Sequence, residues 1–305
     1  MTTNTLKIVL TCNGKTLAMG PGEDLGLLKV TGLESSELEL STSDNALVDG
    51  ASVDGKKIKA RPIHIEASFR SNKNNPENRA RIIQFFNPKY TGKALITNMG
   101  VDRNIEYELE GWTFATARNM DNKLGIMVDL ICPDPYMLNV DNFGKNMAAI
   151  SRLFAFPWRV LSARATNKLD YPAEARGLML GGMTMGYRTL HEEAVLANDG
   201  DVPTGLIIVF TATRGAVSNP KITKNDTGEY MRVVVEMQQG DVLTVDTNER
   251  HQTITLNGVN YYQHIDRGSS PFLLSVGDNS LTYGADNNYV NLDVNLYYTP
   301  KYLGV

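Results

Sequence analysis

Apolar and polar residues alternate with period two through most of the first 135 residues, the pattern of strands with one buried and one wet face. Leu6, Ile8, Leu10 and Cys12 share one face and run into Asn13-Gly14, a pair favoured by tight hairpin turns with positive φ. Ile63, Ile65, Ala67 and Phe69 alternate with His64, Glu66, Ser68 and Arg70. Ile105, Tyr107 and Leu109 alternate with Asn104, Glu106, Glu108 and Glu110. Ile126, Val128, Leu130 and Cys132 repeat the pattern until Pro133 and Pro135 stop it. One segment breaks the rhythm. Asn75 as N-cap, Pro76 at the first helical position and Glu77 in the first turn open a short helix. Its apolar stripe is Ile82, Ile83, Phe85 and Phe86, and Asn87-Pro88 closes it.

Residues 34–61 read differently. Glu34, Glu37 and Glu39 lead into a polar stretch with two turn signals, Asp49-Gly50 and Asp54-Gly55, and then into Lys56, Lys57, Lys59 and Arg61. Leu38, Leu40, Leu47, Val48, Val53 and Ile58 are too few and too irregular to hold this segment to a core, so a projecting hairpin or arm is expected. Residues 141–190 have no clear period; Asp141 to Phe154 could form a helix weakened by Gly144, within a connection leading to a second domain. From Asn198 the strands return. Leu206 to Phe210 is apolar on both faces, Met231, Val233, Val235 and Met237 alternate, and Ile254, Leu256, Asn257-Gly258, Val259 and Tyr261 spell a hairpin. Val290, Leu292, Val294, Leu296 and Tyr298 face one way near the end. Short strands with Gly, Asn and Asp turns predict an antiparallel sandwich or jelly roll.

At 305 residues the chain is long enough for two domains. Its 30 Lys+Arg against 34 Asp+Glu leave no basic excess for a dedicated nucleic-acid binder. Two cysteines make neither a disulfide framework nor a zinc site, and the longest aliphatic-aromatic run, Leu206 to Phe210, is far short of a membrane span. With Leu6 to Leu10 too short for a signal peptide, a soluble protein folded in a reducing cytoplasm is expected.

The candidate chemistry is thin. Gly50 to Lys57 fits G-x-x-x-x-G-K, yet Lys57 replaces the magnesium-binding Ser or Thr and Lys59-Ala60-Arg61-Pro62 leads to a strand instead of a helix. His191-Glu192-Glu193 begins like a zincin motif, but Val195 stands where the second histidine belongs. Asn198-Asp199-Gly200-Asp201 lacks EF-hand spacing and reads as a turn. Tyr261, Tyr262, Tyr283, Tyr289, Tyr297 and Tyr298 offer a potential sugar-stacking platform, against the plainer reading of ordinary strand tyrosines. No catalytic residue, cofactor or metal ligand is assigned, and no enzyme is expected.

Several segments, in order, resemble the distal tail protein (Dit) family of long-tailed bacteriophages. They are GASVDGKKIKARPIHIEASF (Gly50 to Phe69), RARIIQFFNPKYTGKALIT (Arg79 to Thr97), RNIEYELEG (Arg103 to Gly111) and ICPDPY (Ile131 to Tyr136). In the second half Asn198 to Phe210, Asn219-Pro220 to Tyr230, Gly277 to Leu281 and YYTPKYLGV (Tyr297 to Val305) continue the resemblance, while 141–190 match least well. The resemblance implies a mainly β structural protein of the virion, at the phage tail tip or baseplate. A tail-tube-like β-sandwich or barrel domain with one short helix would span residues 1–138, a linker 139–190, and a galectin-like antiparallel β-sandwich (jelly roll) 191–305. It implies a hexameric ring around the DNA channel, with the tail tube protein above and a tail-associated hub protein below. Receptor-binding or baseplate proteins would meet the C-terminal domain; genomic DNA would pass transiently, and no membrane is involved. A ring also needs complementary patches. Candidates for inter-subunit contact are Glu34, Glu37 and Glu39 with Lys56, Lys57, Lys59 and Arg61, the plainer reading being two solvated faces. Asn104, Glu106, Glu108 and Glu110, polar and acidic on one strand face, are candidates to line a channel that repels phosphate. A carbohydrate-binding module or adhesin domain is the alternative function.

Overall fold

The computed structural model describes residues 6–34, 36–44, 50–115, 123–140, 143–146, 148–156, 183–190 and 193–305. Leu47, Val48, Asp49, His191, Glu192 and residues 157–182 of the connecting segment therefore lie outside the described residues.

The first half of the chain contains β1 (Lys7–Cys12), β2 (Lys15–Met19), β3 (Leu25–Thr31), β4 (Leu38–Asp44), β5 (Ala51–Ile58) and β6 (Arg61–Phe69). The helix α1 (Asn75–Phe85) follows, then β7 (Gly92–Asn98), β8 (Val101–Ala115), β9 (Gly125–Cys132) and β10 (Met137–Asn139). Asn13 and Gly14 both take positive φ (47° and 72°), the conformation a two-residue hairpin requires, and they join β1 to β2. Strands run β8-β7-β1-β2-β3-β6-β9, and β9 pairs back onto β8, closing a seven-stranded barrel. The alternation read from the sequence is the packing pattern: Ile8, Leu10, Ile63, Ile65, Ala67, Phe69, Ile105, Tyr107, Ile126, Val128, Leu130 and Cys132 all point into one core. Ile82, Phe85 and Phe86 of the helix join them, at i, i+3 and i+4. Ile83, expected on that stripe, is half exposed because it lies one residue, about 100°, off the face.

The second half begins with β11 (Phe143–Asn146), β12 (Ala148–Phe156), β13 (Met183–Leu190), β14 (Glu193–Asn198), β15 (Ile207–Ala212), β16 (Val217–Lys224) and β17 (Tyr230–Arg232). It continues with β18 (Glu236–Met237), β19 (Val242–Asp246), β20 (Thr253–Leu256), β21 (Val259–Asn260), β22 (Gly277–Asn287), β23 (Leu292–Tyr298) and β24 (Lys301–Tyr302). A six-stranded sheet (β11-β23-β15-β19-β20-β21) and a sheet of β14-β22-β16-β17 with β18 enclose a second core. Leu206, Ile208, Phe210, Met231, Val233, Val235, Met237, Leu292, Val294 and Leu296 fill it, making an antiparallel β-sandwich. Val290 is not part of that strand face; it sits in a 3-10 turn ahead of β23 and is exposed.

The expected helix from Asp141 to Phe154 is corrected. Residues 143–146 form a strand against β23, and β12 pairs with β13. Gly144 weakens a helix, and the free edge of β23 offers backbone partners that an isolated helix lacks.

Candidate assembly surfaces

The segment between β3 and β6 forms the hairpin β4–β5, whose two strands pair only with each other. Its residues carry almost no burial: Leu38, Leu40 and Val53 are 53%, 50% and 51% exposed. The register shifts between Ser41 and Thr42, so that Ser41 opposes Gly55 and Thr42 opposes Val53, with Asp54 as the extra residue. Side chains directly opposite each other share a face, as do those two apart on one strand. Leu38, Leu40, Ile58 and Val53 are thereby gathered on one side, together with Lys56 opposite Leu40, Thr42 opposite Val53, and Asp44 opposite Ala51. Glu39 opposes Lys57 on the other, where Ser43 and Ser52 hydroxyls are 2.8 Å apart. The sequence made these apolar residues look irregular; the bulge aligns them on one side of the ribbon.

The candidate arm charges divide. Glu34, Glu37, Glu39, Lys56, Lys57 and Lys59 are exposed. Arg61 is a correction: it is 0% exposed, so it presents no charge to a neighbour. As first residue of β6 it points inward, and its guanidinium donates to backbone carbonyls of Pro135 (2.8 Å), Gly32 (2.9 Å), Leu33 (3.2 Å) and Leu303. Burial lowers its pKa, opposed weakly by the Cys132 sulfur. Cys132 itself is pushed up to about 12, chiefly by burial.

Asn104, Glu106, Glu108 and Glu110 lie on the outward side of β8, opposite the buried Ile105 and Tyr107. Glu106 pairs with Lys93 at 3.1 Å, and the Glu108 carboxylate accepts from Thr91 Oγ1 at 2.6 Å. Neighbouring strands add charges that the sequence had not grouped with them. His64 Nδ1 bonds Asp129 and its Nε2 lies 3.3 Å from Glu66. These bonds, Asp129 foremost, raise the histidine pKa, with burial opposing. Only the β6–β9 register, His64 opposite Asp129, reveals that grouping.

The six tyrosines do not form one platform. Tyr283 is buried in the core, Tyr261 stacks on His264 at 3.9 Å, and the Tyr298 hydroxyl donates to the Ala197 carbonyl. The Asn198–Asp201 segment is a turn: Asn198 Oδ1 accepts from the Gly200 amide at 3.0 Å, and an Asp201 carboxylate oxygen accepts from the Leu303 amide at 2.9 Å.

Residues 199–302 match the family described as "Siphovirus-type tail component, C-terminal domain". None of the curated proteins matches. Among solved structures, the fold is shared with the SPP1 Dit protein, described as a paradigm of the hub adsorption apparatus in Gram-positive-infecting phages. That likeness has a TM-score of 0.65 at 13% identity, covering 97% of this chain and 99% of that one. The phage P2 baseplate in its activated conformation with Ca gives a TM-score of 0.52 at 9% identity, over 99% of each chain. Its counterpart with Sr gives 0.52 at 9%, over 98% of this chain and 99% of that one. A barrel is followed in the chain by a sandwich, and the sandwich carries the match to the tail-component domain. The chain thus shares its fold with the SPP1 Dit protein, and its residues 199–302 match the siphovirus-type tail component domain.

Proposed function

We propose that the protein is a hub component of the phage tail tip. Six copies close into a ring that joins the tail tube to the baseplate and surrounds the path of the DNA. The barrel half (residues 1–138) builds the ring, residues 139–190 connect the halves, and the sandwich half (191–305) faces outward, where baseplate or receptor-binding proteins attach. The role is structural, not catalytic. What supports the ring is the hairpin β4–β5, held out from its own core with four exposed or half-buried aliphatic residues, Leu38, Leu40, Val53 and Ile58, on one side around Lys56. Ordering such a ribbon costs on the order of 1–2 kcal/mol per residue in backbone entropy, so burial against a neighbouring subunit is what offsets it. Exposed ion pairs formed with a neighbour would contribute only about 0–1 kcal/mol each, leaving the aliphatic residues and strand pairing to supply the contact. In this arrangement the outward face of β8 lines the channel, presenting Asn104, Glu106, Glu108 and Glu110 to passing DNA.

The test is removal of the ribbon. A chain lacking residues 41–54 folds as a monomer with its barrel and sandwich intact but forms no rings on tail particles in electron micrographs. Normal rings from that variant would overturn the assembly role. The separated tyrosines give no matching support to a carbohydrate-binding module.

A further inference from the structure

The buried guanidinium of Arg61 stands where three segments meet. Gly32 and Leu33 precede the hairpin, Pro135 lies in the connection after β9, and Leu303 lies in the chain's return from the sandwich. The hairpin pairs with no other strand, so its direction is set at its base. There the Lys59 amide donates to the Glu37 carbonyl at 2.9 Å and Ser36 Oγ to the Pro135 carbonyl at 3.5 Å. The returning strand β24 pairs with β10, and the Val305 amide donates to the Leu33 carbonyl at 3.3 Å. From the sandwich side, Asp201 holds the same return twice: its amide donates to the Lys301 carbonyl (2.8 Å) and its carboxylate accepts from the Leu303 amide (2.9 Å).

A continuous path of hydrogen bonds thus runs from Asp201 of the sandwich through Leu303 and Arg61 to Gly32 and Leu33 at the arm. Arg61 makes no ion pair with a carboxylate among the described residues; its acceptors are main-chain oxygens. A planar fork of fixed donors, sealed from water, cannot lose one carbonyl without leaving a buried N–H unpaired. Movement of any one acceptor segment therefore drags the others or breaks the set.

We propose that Arg61 is a positioning residue that locks the direction of the β4–β5 arm to the seat of the C-terminal sandwich, so that displacement of the sandwich is transmitted to the arm base. The structural consequence for a tail tip rests on reading the hairpin as the assembly arm. The coupling itself does not, and it is measured on the isolated full-length chain, where ring formation plays no part.

The test is a double-mutant cycle read by amide hydrogen exchange. Asp201→Ala, an exposed change on the sandwich side, releases the Leu303 amide and is expected to raise exchange at the Lys59 amide by about tenfold or more. In an Arg61→Met background the same Asp201→Ala change is expected to add nothing at Lys59. If Arg61→Met does not fold, Arg61→Lys serves, since it keeps the charge and loses the fork; the expectation is the same. Unchanged Lys59 exchange in Asp201→Ala, or an Asp201→Ala effect that persists undiminished when Arg61 is replaced, overturns the lock.

Discussion

A single side chain can be placed by its neighbours in ways its sequence context does not announce, and His64 shows the consequence in solution. It sits on the wet face of β6, as its alternation with Ile63 and Ile65 predicts. Its partner Asp129, however, comes from β9, 65 residues away in the chain. Because these bonds raise the folded-state pKa above the usual 6.5, their contribution is fully present below about pH 6.5 and is lost as pH rises through the folded value. The wild-type urea midpoint is accordingly expected to fall as pH rises from about 6.5. His64→Gln should flatten that slope; an unchanged slope would show that His64 is not its source. Arg61 makes the opposite point. It ends a run of basic residues and so reads as solvent-facing charge, yet it occupies an inward strand position and is completely buried.

Elements were legible wherever a local pattern matched the partner they found. The hairpins at Asn13-Gly14 and Asn257-Gly258, and the strands from Ile63, Ile105 and Ile126, all form where alternation and turn chemistry place them. What alternation misses is a change of phase. Strand β8 carries a bulge between Leu109 and Gly111, beyond which Trp112 and Phe114 turn to the core side, with Trp112 stacked on Phe86 at 5.8 Å. The bulge in β4–β5 likewise brings scattered apolar residues to one side. The ladder also sets limits that no single strand contains. Gly92 lies opposite both Cys12 and Tyr107, and a Cβ there would clash with the hydroxyl end of the Tyr107 ring. Gly92→Ala is expected to cost about 1–3 kcal/mol in denaturant unfolding, as overpacked cores do. A neutral result would mean the Tyr107 ring moves aside freely.

For the whole molecule, the proposed channel makes a charge prediction. Lys93 already pairs with Glu106, so reversing Glu106 and Glu108 to Lys would place three neighbouring cations on that face. If the face lines the DNA path, particles carrying Glu106→Lys with Glu108→Lys should release DNA more slowly, and added salt should relieve the delay by screening phosphate contacts. Wild-type release kinetics, or an image placing β8 on the ring's outer wall, would end that assignment. The helix expected from Asp141 to Phe154 also belongs at this scale, since its residues 143–146 pair with β23, more than 140 residues further along the chain, and its residues 148–154 with β13.

By itself the sequence determined the β class, most strand faces, the helix, the protruding segment and the resemblance to phage tail proteins, because these rest on local periodicity, turn residues and motifs. Barrel closure, the two phase-shifting bulges, the His64–Asp129 contact and the burial of Arg61 were decided only by the tertiary structure. Each depends on which strands pair and in what register, and that follows from packing across the whole chain, with the last residues reaching back to the thirty-third.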